Sequence, residues 1–255
     1  MTRNRFLVTL ALVASAIVAR ADEPEPAAAQ ILAMADQAYG AFKDLTIEST
    51  MTIYEPGKTT GREVGFQSIS KGEKRLVRFL SPGDIKGMGF LVENRDTLYA
   101  LLPAFNNRVR RLGTHVKGQS FMGSDIGYED MSSTAMTGIW LPKLVATEAD
   151  AWVLEVTLLP GKDAEFPRMK IWVDKKIKQV NRIEYYDGKG AKAKTQTRSD
   201  FKLDQGSTAH YTPGEIKVVD HRRNDHSSVI RNTRSQADSG IADDMFTQRS
   251  LQRGQ

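Results

Sequence analysis

Leu45-Thr46-Ile47-Glu48-Ser49-Thr50-Met51-Thr52-Ile53-Tyr54, followed by Glu55-Pro56-Gly57-Lys58, is the stretch on which the fold turns. Leu45, Ile47, Met51 and Ile53 alternate with Thr46, Glu48, Thr50, Thr52 and Tyr54. In an extended chain successive side chains point to opposite faces, so the apolar set falls on one side. The Pro-Gly pair then supplies a turn. The segment reads as a half-buried strand entering a hairpin.

The same rhythm continues outward. It predicts further strands over 61–70, 74–80, 88–93, 97–102, 108–112, 152–159, 169–173, 180–186, 195–203 and 216–220. Short Gly/Pro signals punctuate them, such as Ser81-Pro82-Gly83-Asp84, Pro160-Gly161-Lys162-Asp163 and Asp187-Gly188-Lys189-Gly190. Connections this short favour antiparallel meanders over crossover helices. Upstream, Pro26 takes the first helical position, and Ile31, Met34, Ala35, Ala38, Tyr39 and Phe42 recur at spacings of three and four on one stripe. The longest irregular piece is 113–150, with a short helix expected over 128–137. The chain beyond Val229 reads as polar until 241–251, where Asp243 or Asp244 is placed to cap a last helical turn.

One helix cannot cover the apolar face of about a dozen strands. Such a sheet closes as a barrel, folds as a sandwich, or curls around a cavity shared by a lid and a ligand. Periodicity does not choose among these. Parity does name the face: if Leu45, Ile47, Met51 and Ile53 point inward, so do Val64, Phe66, Val77, Phe79, Met88, Phe90, Trp152, Leu154, Val156, Met169 and Ile171.

The N-terminus predicts export. Arg3 and Arg5 precede an apolar run from Phe6 to Val18, and Ala19-Arg20-Ala21 fits a small-x-small cleavage site. The run is shorter than the roughly 20 residues a spanning helix needs. A signal peptide over 1–21 and a single domain over 22–255 are expected, in the periplasm. Arg3, Arg5 and Arg20 leave with the signal, so 36 Lys and Arg become 33 against 31 Asp and Glu, a charge of +2. That balance gives no field for nucleic acid. The chain has no cysteine, so disulfides and thiol lipidation are unavailable.

No motif announces a reaction. Asp220-His221 and Asp225-His226 are spaced as a polar turn between strands, with a structural role favoured over a metal site. Gly118-Gln119-Ser120-Phe121-Met122-Gly123 has its second glycine one residue late for a nucleophile elbow. Ser120 with His115 and Asp125 would be the only hydrolytic grouping, and Asp125, Tyr128, Glu129 and Asp130 read more simply as caps. No catalytic residue, metal or cofactor is assigned. Arg108 and Arg110 share one face of a strand and Arg111 the other. They are solvated edge charges or a docking surface for a membrane-embedded or acidic partner.

Four pieces in order carry a family resemblance: Arg78-Phe79-Leu80-Ser81-Pro82-Gly83-Asp84-Ile85-Lys86-Gly87-Met88-Gly89-Phe90-Leu91; Leu98-Tyr99-Ala100-Leu101-Leu102-Pro103-Ala104 with Arg108-Val109-Arg110-Arg111; Ser120-Phe121-Met122-Gly123-Ser124-Asp125 with Tyr128-Glu129-Asp130; and Phe246-Thr247-Gln248-Arg249. Together they resemble the outer-membrane lipoprotein-sorting protein family, a LolA-like group of exported proteins. The resemblance implies a mainly β fold: a curved antiparallel sheet forming an incomplete barrel, with a helical lid over an apolar cavity. It implies a carrier without enzymatic activity that holds a lipid or acylated protein cargo and exchanges it between an inner-membrane exporter and an outer-membrane acceptor. On that reading the cavity wall is Phe66, Phe79, Met88, Phe90, Trp152, Leu154, Met169 and Ile171. The lid is Ile31, Tyr39 and Phe42, and Arg108 and Arg110 dock the partner. The alternative is an envelope scaffold, an accessory of a lipid exporter with no cargo of its own.

Overall fold

A computed structural model describes residues 25–102, 106, 108–113, 119–128, 130 and 135–253. The expected signal peptide therefore lies outside the described residues. Helix α1 (Ala28–Tyr39) starts two residues later than Pro26 had indicated. Its open N-terminus is served by Gln30, whose Oε1 accepts from Ala27 N at 3.0 Å.

The strands are β1 (Leu45–Tyr54), β2 (Arg62–Lys71), β3 (Lys74–Ser81), β4 (Gly89–Asn94), β5 (Thr97–Leu101), β6 (Val109–Arg111), β7 (Trp140–Thr147), β8 (Ala151–Leu158), β9 (Arg168–Asp174), β10 (Val180–Tyr186), β11 (Lys192–Ser199), β12 (Lys202–Leu203), β13 (Tyr211–Thr212), β14 (Glu215–Asp220) and β15 (His226–Ala237). The short helix α2 (Gln248–Arg253) follows. Thirteen strands make one antiparallel sheet in the order β6-β5-β4-β3-β2-β1-β15-β14-β11-β10-β9-β8-β7, and β12 pairs with β13 beside it. The sheet is curved and is not closed into a barrel. Turn chemistry sets the register: Gly72, at φ +57°, opens the two-residue turn that pairs Lys71 with Lys74.

Several strands depart from the sequence reading: the expected strand over 195–203 is divided into β11 and β12, and the two-residue β13 was not expected. β7 falls inside the segment taken as irregular, and β15 occupies the stretch taken as polar tail. β15 joins the two meanders, pairing with β1 on one side and β14 on the other.

Parity holds across the register. Met51 faces Val64, Phe66 faces Phe79, Val77 faces Phe90, Trp152 faces Val173 and Leu154 faces Ile171. The concave face so formed is filled at both ends. At one end Ile31, Leu32 and Ala35 of α1 pack on Trp152, Leu154, Ile171 and Val173. At the other, Phe79, Phe90, Phe121 and Tyr128 make an aromatic cluster with ring centroids 4.9–6.0 Å apart, which seats the 119–128 loop on β3 and β4. On the convex face α2 lays Leu251, with Phe246, over Leu76, Leu91 and Leu101.

Candidate functional site

Between the two packed ends the concave face stays open as two adjoining cavities of about 230 and 170 Å³. Each is far larger than the ~10–15 Å³ a single water needs. The larger lies on the middle strands. Its apolar wall comes from Leu45, Ile47 and Met51 of β1, Phe66 of β2, Val77 of β3, Ile216 and Val218 of β14 and Ile230 of β15. Phe121 and Ile126 close it from the loop, and Tyr39 and Phe42 border it where α1 ends. The smaller lies under α1, against Met136, Trp140, Phe166, Met169 and Ile183.

Alternation puts polar groups into the same face. Arg75 Nη2 donates to the Tyr39 hydroxyl at 2.8 Å and its Nε to Ser70 Oγ at 3.2 Å. The Gln196 amide lies 2.9 Å from the Tyr185 hydroxyl, and turned so that its NH2 faces that hydroxyl its oxygen accepts from Arg198 Nε and Nη2 at 3.0 and 3.1 Å. Ser49 Oγ donates to Asn232 Oδ1 at 2.7 Å. Arg75, and to a lesser degree Arg198, hold the Tyr39 phenol below its ordinary value against the opposing effect of burial. Burial by itself would depress the ammonium of Lys194, but the charge and hydrogen bond of Asp130, 2.8 Å away, keep it well above the usual lysine range.

The surrounding elements are pinned. Asp36 accepts from Met136 N at 2.9 Å and Thr137 N at 2.7 Å, Gln179 Nε2 donates to Ala38 O at 2.9 Å, and His210 Nε2 lies 3.0 Å from Tyr39 O, so the C-terminal half of α1 is tied to three segments. The loop is tied through Asp125. That carboxylate meets His226 Nδ1 at 2.7 and 2.9 Å, accepts from Ser228 Oγ at 2.7 Å and lies 3.2 Å from Arg223 Nη1.

The expected wall residues divide. Phe66 lines the larger cavity and Met169 the smaller. Phe79, Met88 and Phe90 sit in the aromatic end, and Trp152, Leu154 and Ile171 under α1, all in packed core that borders neither cavity. Of the expected lid, Ile31 is fully buried in core while Tyr39 and Phe42 reach the cavity rim. Arg108 and Arg110 are exposed at the β6 edge, where Arg110 pairs with Ala100 and so shares the concave side. Ser120 Oγ donates to Ser124 O, the Asp125 carboxylate is taken up by His226 and Ser228, and His115 and Glu129 lie outside the described residues. Ser120, Ser228 and Asp125 brace the loop. Missed altogether were Arg75, Arg198, Gln196, Ile216, Val218 and Ile230. Lys194, Gln196 and Arg198 alternate in the sequence, which was the available signal; what hid it was that a polar inner face reads as an outer one.

The model of a family described only as uncharacterized protein matches residues 71–253. No curated protein matches the chain. Among solved structures, a DUF1329 family protein from Desulfovibrio piger is similar at 25% identity, covering 88% of this chain and 97% of that one with a TM-score of 0.78. An outer membrane lipoprotein-sorting protein domain from Vibrio parahaemolyticus gives 23% identity, 89% and 98% coverage and a TM-score of 0.77. A LolA superfamily protein from Nitrosomonas europaea gives 21% identity, 88% and 98% coverage and a TM-score of 0.71. At those last two identities it is the fold that is shared, a large curved antiparallel sheet left open. Matched over residues 71–253, the chain belongs to that family of uncharacterized proteins, and its fold is the LolA-like fold of the lipoprotein-sorting group.

Proposed function

We propose that the protein is a periplasmic carrier that holds the acyl chains of a lipid or lipid-modified protein in its concave cavity and passes them between membrane partners, without catalysing a reaction. The observation that carries this reading is the larger cavity. A sheet able to pack its apolar face shut at both ends keeps about 230 Å³ open between them, with Met51, Phe66, Ile216 and Ile230 on its wall. Burying an acyl chain there is driven at roughly 25 cal/mol per Å² of apolar surface, without any reacting group. The lipoprotein-sorting and LolA names of the structural neighbours agree with a carrier, and the sequence of 1–21 agrees with export.

Two phenylalanines test it. Phe66 is half-buried on the cavity wall, and Phe90 is fully buried in the aromatic end. Phe66→Glu is expected to leave thermal unfolding nearly unchanged and to abolish binding of a fluorescent apolar probe. Phe90→Ala is expected to cost about 3–5 kcal/mol of stability. The measurements are thermal unfolding and probe titration on the same preparations. Failure of the wild type to bind any apolar probe, with no lipid in organic extracts of the native protein, would overturn the carrier reading in favour of a scaffold.

A further inference from the structure

The polar groups of the concave face are gathered where the two cavities meet, and Arg198 borders both. Antiparallel register places Arg198 opposite Ile216, Ile216 opposite Ile230, and Ile230 opposite Met51. A guanidinium therefore stands at the head of an apolar row that crosses four strands and ends near Phe66. Its Nε and Nη2 face the Gln196 amide, whose oxygen accepts from both once that amide is turned toward them. Among the described residues no carboxylate forms an ion pair with it. Asp130, the carboxylate on the larger cavity's wall, is already engaged by Lys194 and by Gly127 N, each at 2.8 Å. Arg75 adds a second positive charge beside Tyr39, held in place through that hydroxyl and Ser70. The lowered phenol of Tyr39 registers the field the two arginines make there.

We propose that the cargo is an anionic amphiphile whose acidic group, a carboxylate or a phosphate, docks on Arg198 beside Tyr39 while its acyl chain runs over Ile216, Ile230 and Met51 toward Phe66. The proposal rests on the carrier reading and names the cargo's chemistry. A planar guanidinium matches carboxylate and phosphate oxygens, and the match strengthens where water is partly excluded. A cation on a largely apolar wall is costly until an anion meets it, so the same arrangement discriminates against neutral and cationic heads.

The test uses the wild-type protein and three probes with the same alkyl chain, a carboxylate, a phosphate monoester and a primary alcohol, each titrated against a bound fluorescent apolar probe. Inorganic phosphate is the fourth arm. Both anionic amphiphiles are expected to bind about tenfold or more tighter than the alcohol, and inorganic phosphate not to bind. Arg198→Gln is expected to bring both anions to the alcohol's affinity without changing the alcohol itself. Equal affinity of alcohol and anions for the wild type overturns this proposal and leaves the carrier reading standing. Displacement by none of the alkyl probes overturns the carrier reading and this proposal with it. Inorganic phosphate binding as tightly as the alkyl phosphate overturns the amphiphile in favour of a free-anion site. The wild-type comparison decides even where the variant fails to fold.

Discussion

Asp44 shows how much one side chain holds. It is 3% exposed at the mouth of β1, and its carboxylate accepts from Ser239 N, Ser239 Oγ, Gly240 N and Ile241 N at 2.8–3.1 Å. Burial works to raise its pKa, but these donors outweigh it and hold the carboxyl below the usual carboxylate range. The chain leading to α2 is thereby fastened to the start of the sheet. Because the folded value is the depressed one, the stabilisation is complete above the unfolded value of about 3.9 and is lost as pH falls through the lower folded value. Asp44→Asn is expected to destabilise by ~1–3 kcal/mol at pH 7, with the gap to wild type closing on acidification below about pH 4. Urea unfolding of both proteins at neutral and acid pH measures this, and a gap independent of pH would mean that the charge is not what fastens the turn.

Among the elements, α2 has the most to do for its length. Thr247 caps it by accepting from Ser250 N at 3.1 Å, and Leu251, 1% exposed, seals the convex side of β3 to β5. Leu251→Ala is expected to cost about 2–4 kcal/mol and Thr247→Ala about 1 kcal/mol in urea unfolding. The sequence pointed to a helical turn here but to Asp243 or Asp244 as its cap; those two residues instead open a short 3-10 turn, and the threonine beyond them caps the helix. Strands whose inner face is apolar, whether it lines the cavity as in β1 or packs against core as in β8 and β9, were legible because burial enforces alternation. β15 was not. Its inner positions Ser228, Asn232 and Ser235 meet Asp125, Ser49 and Asp204 rather than apolar core, so no hydrophobic period marks it. β7 escaped for the opposite reason: as an edge strand it exposes Leu141 and Val145 outward and carries Pro142, which reads as a strand breaker but is tolerated at an edge. The cavity shared β15's obscurity, since much of its lining comes from that polar middle.

For the whole molecule, the strand order has a kinetic signature. β1 to β6 and β7 to β11 are local meanders, whereas the seam β1-β15-β14 brings together residues up to 192 positions apart, as in the pairing of Leu45 with Ala237. Local contacts cost less loop entropy and form earlier. Ile171→Ala, inside a meander, is expected to slow refolding, while Ile230→Ala, on the seam, is expected to speed unfolding and leave the refolding rate within about a factor of two. Stopped-flow chevrons of the two variants make the comparison, and a reversed pattern would place the seam in the folding nucleus. The seam also governs what a ribosome can release. Until His226–Ala237 has emerged, the chain has two half-sheets, each with a bare edge where β15 belongs. A premature stop before that strand yields not a shorter version of the protein but a pair of unjoined halves, open to pairing with their neighbours and to proteolysis.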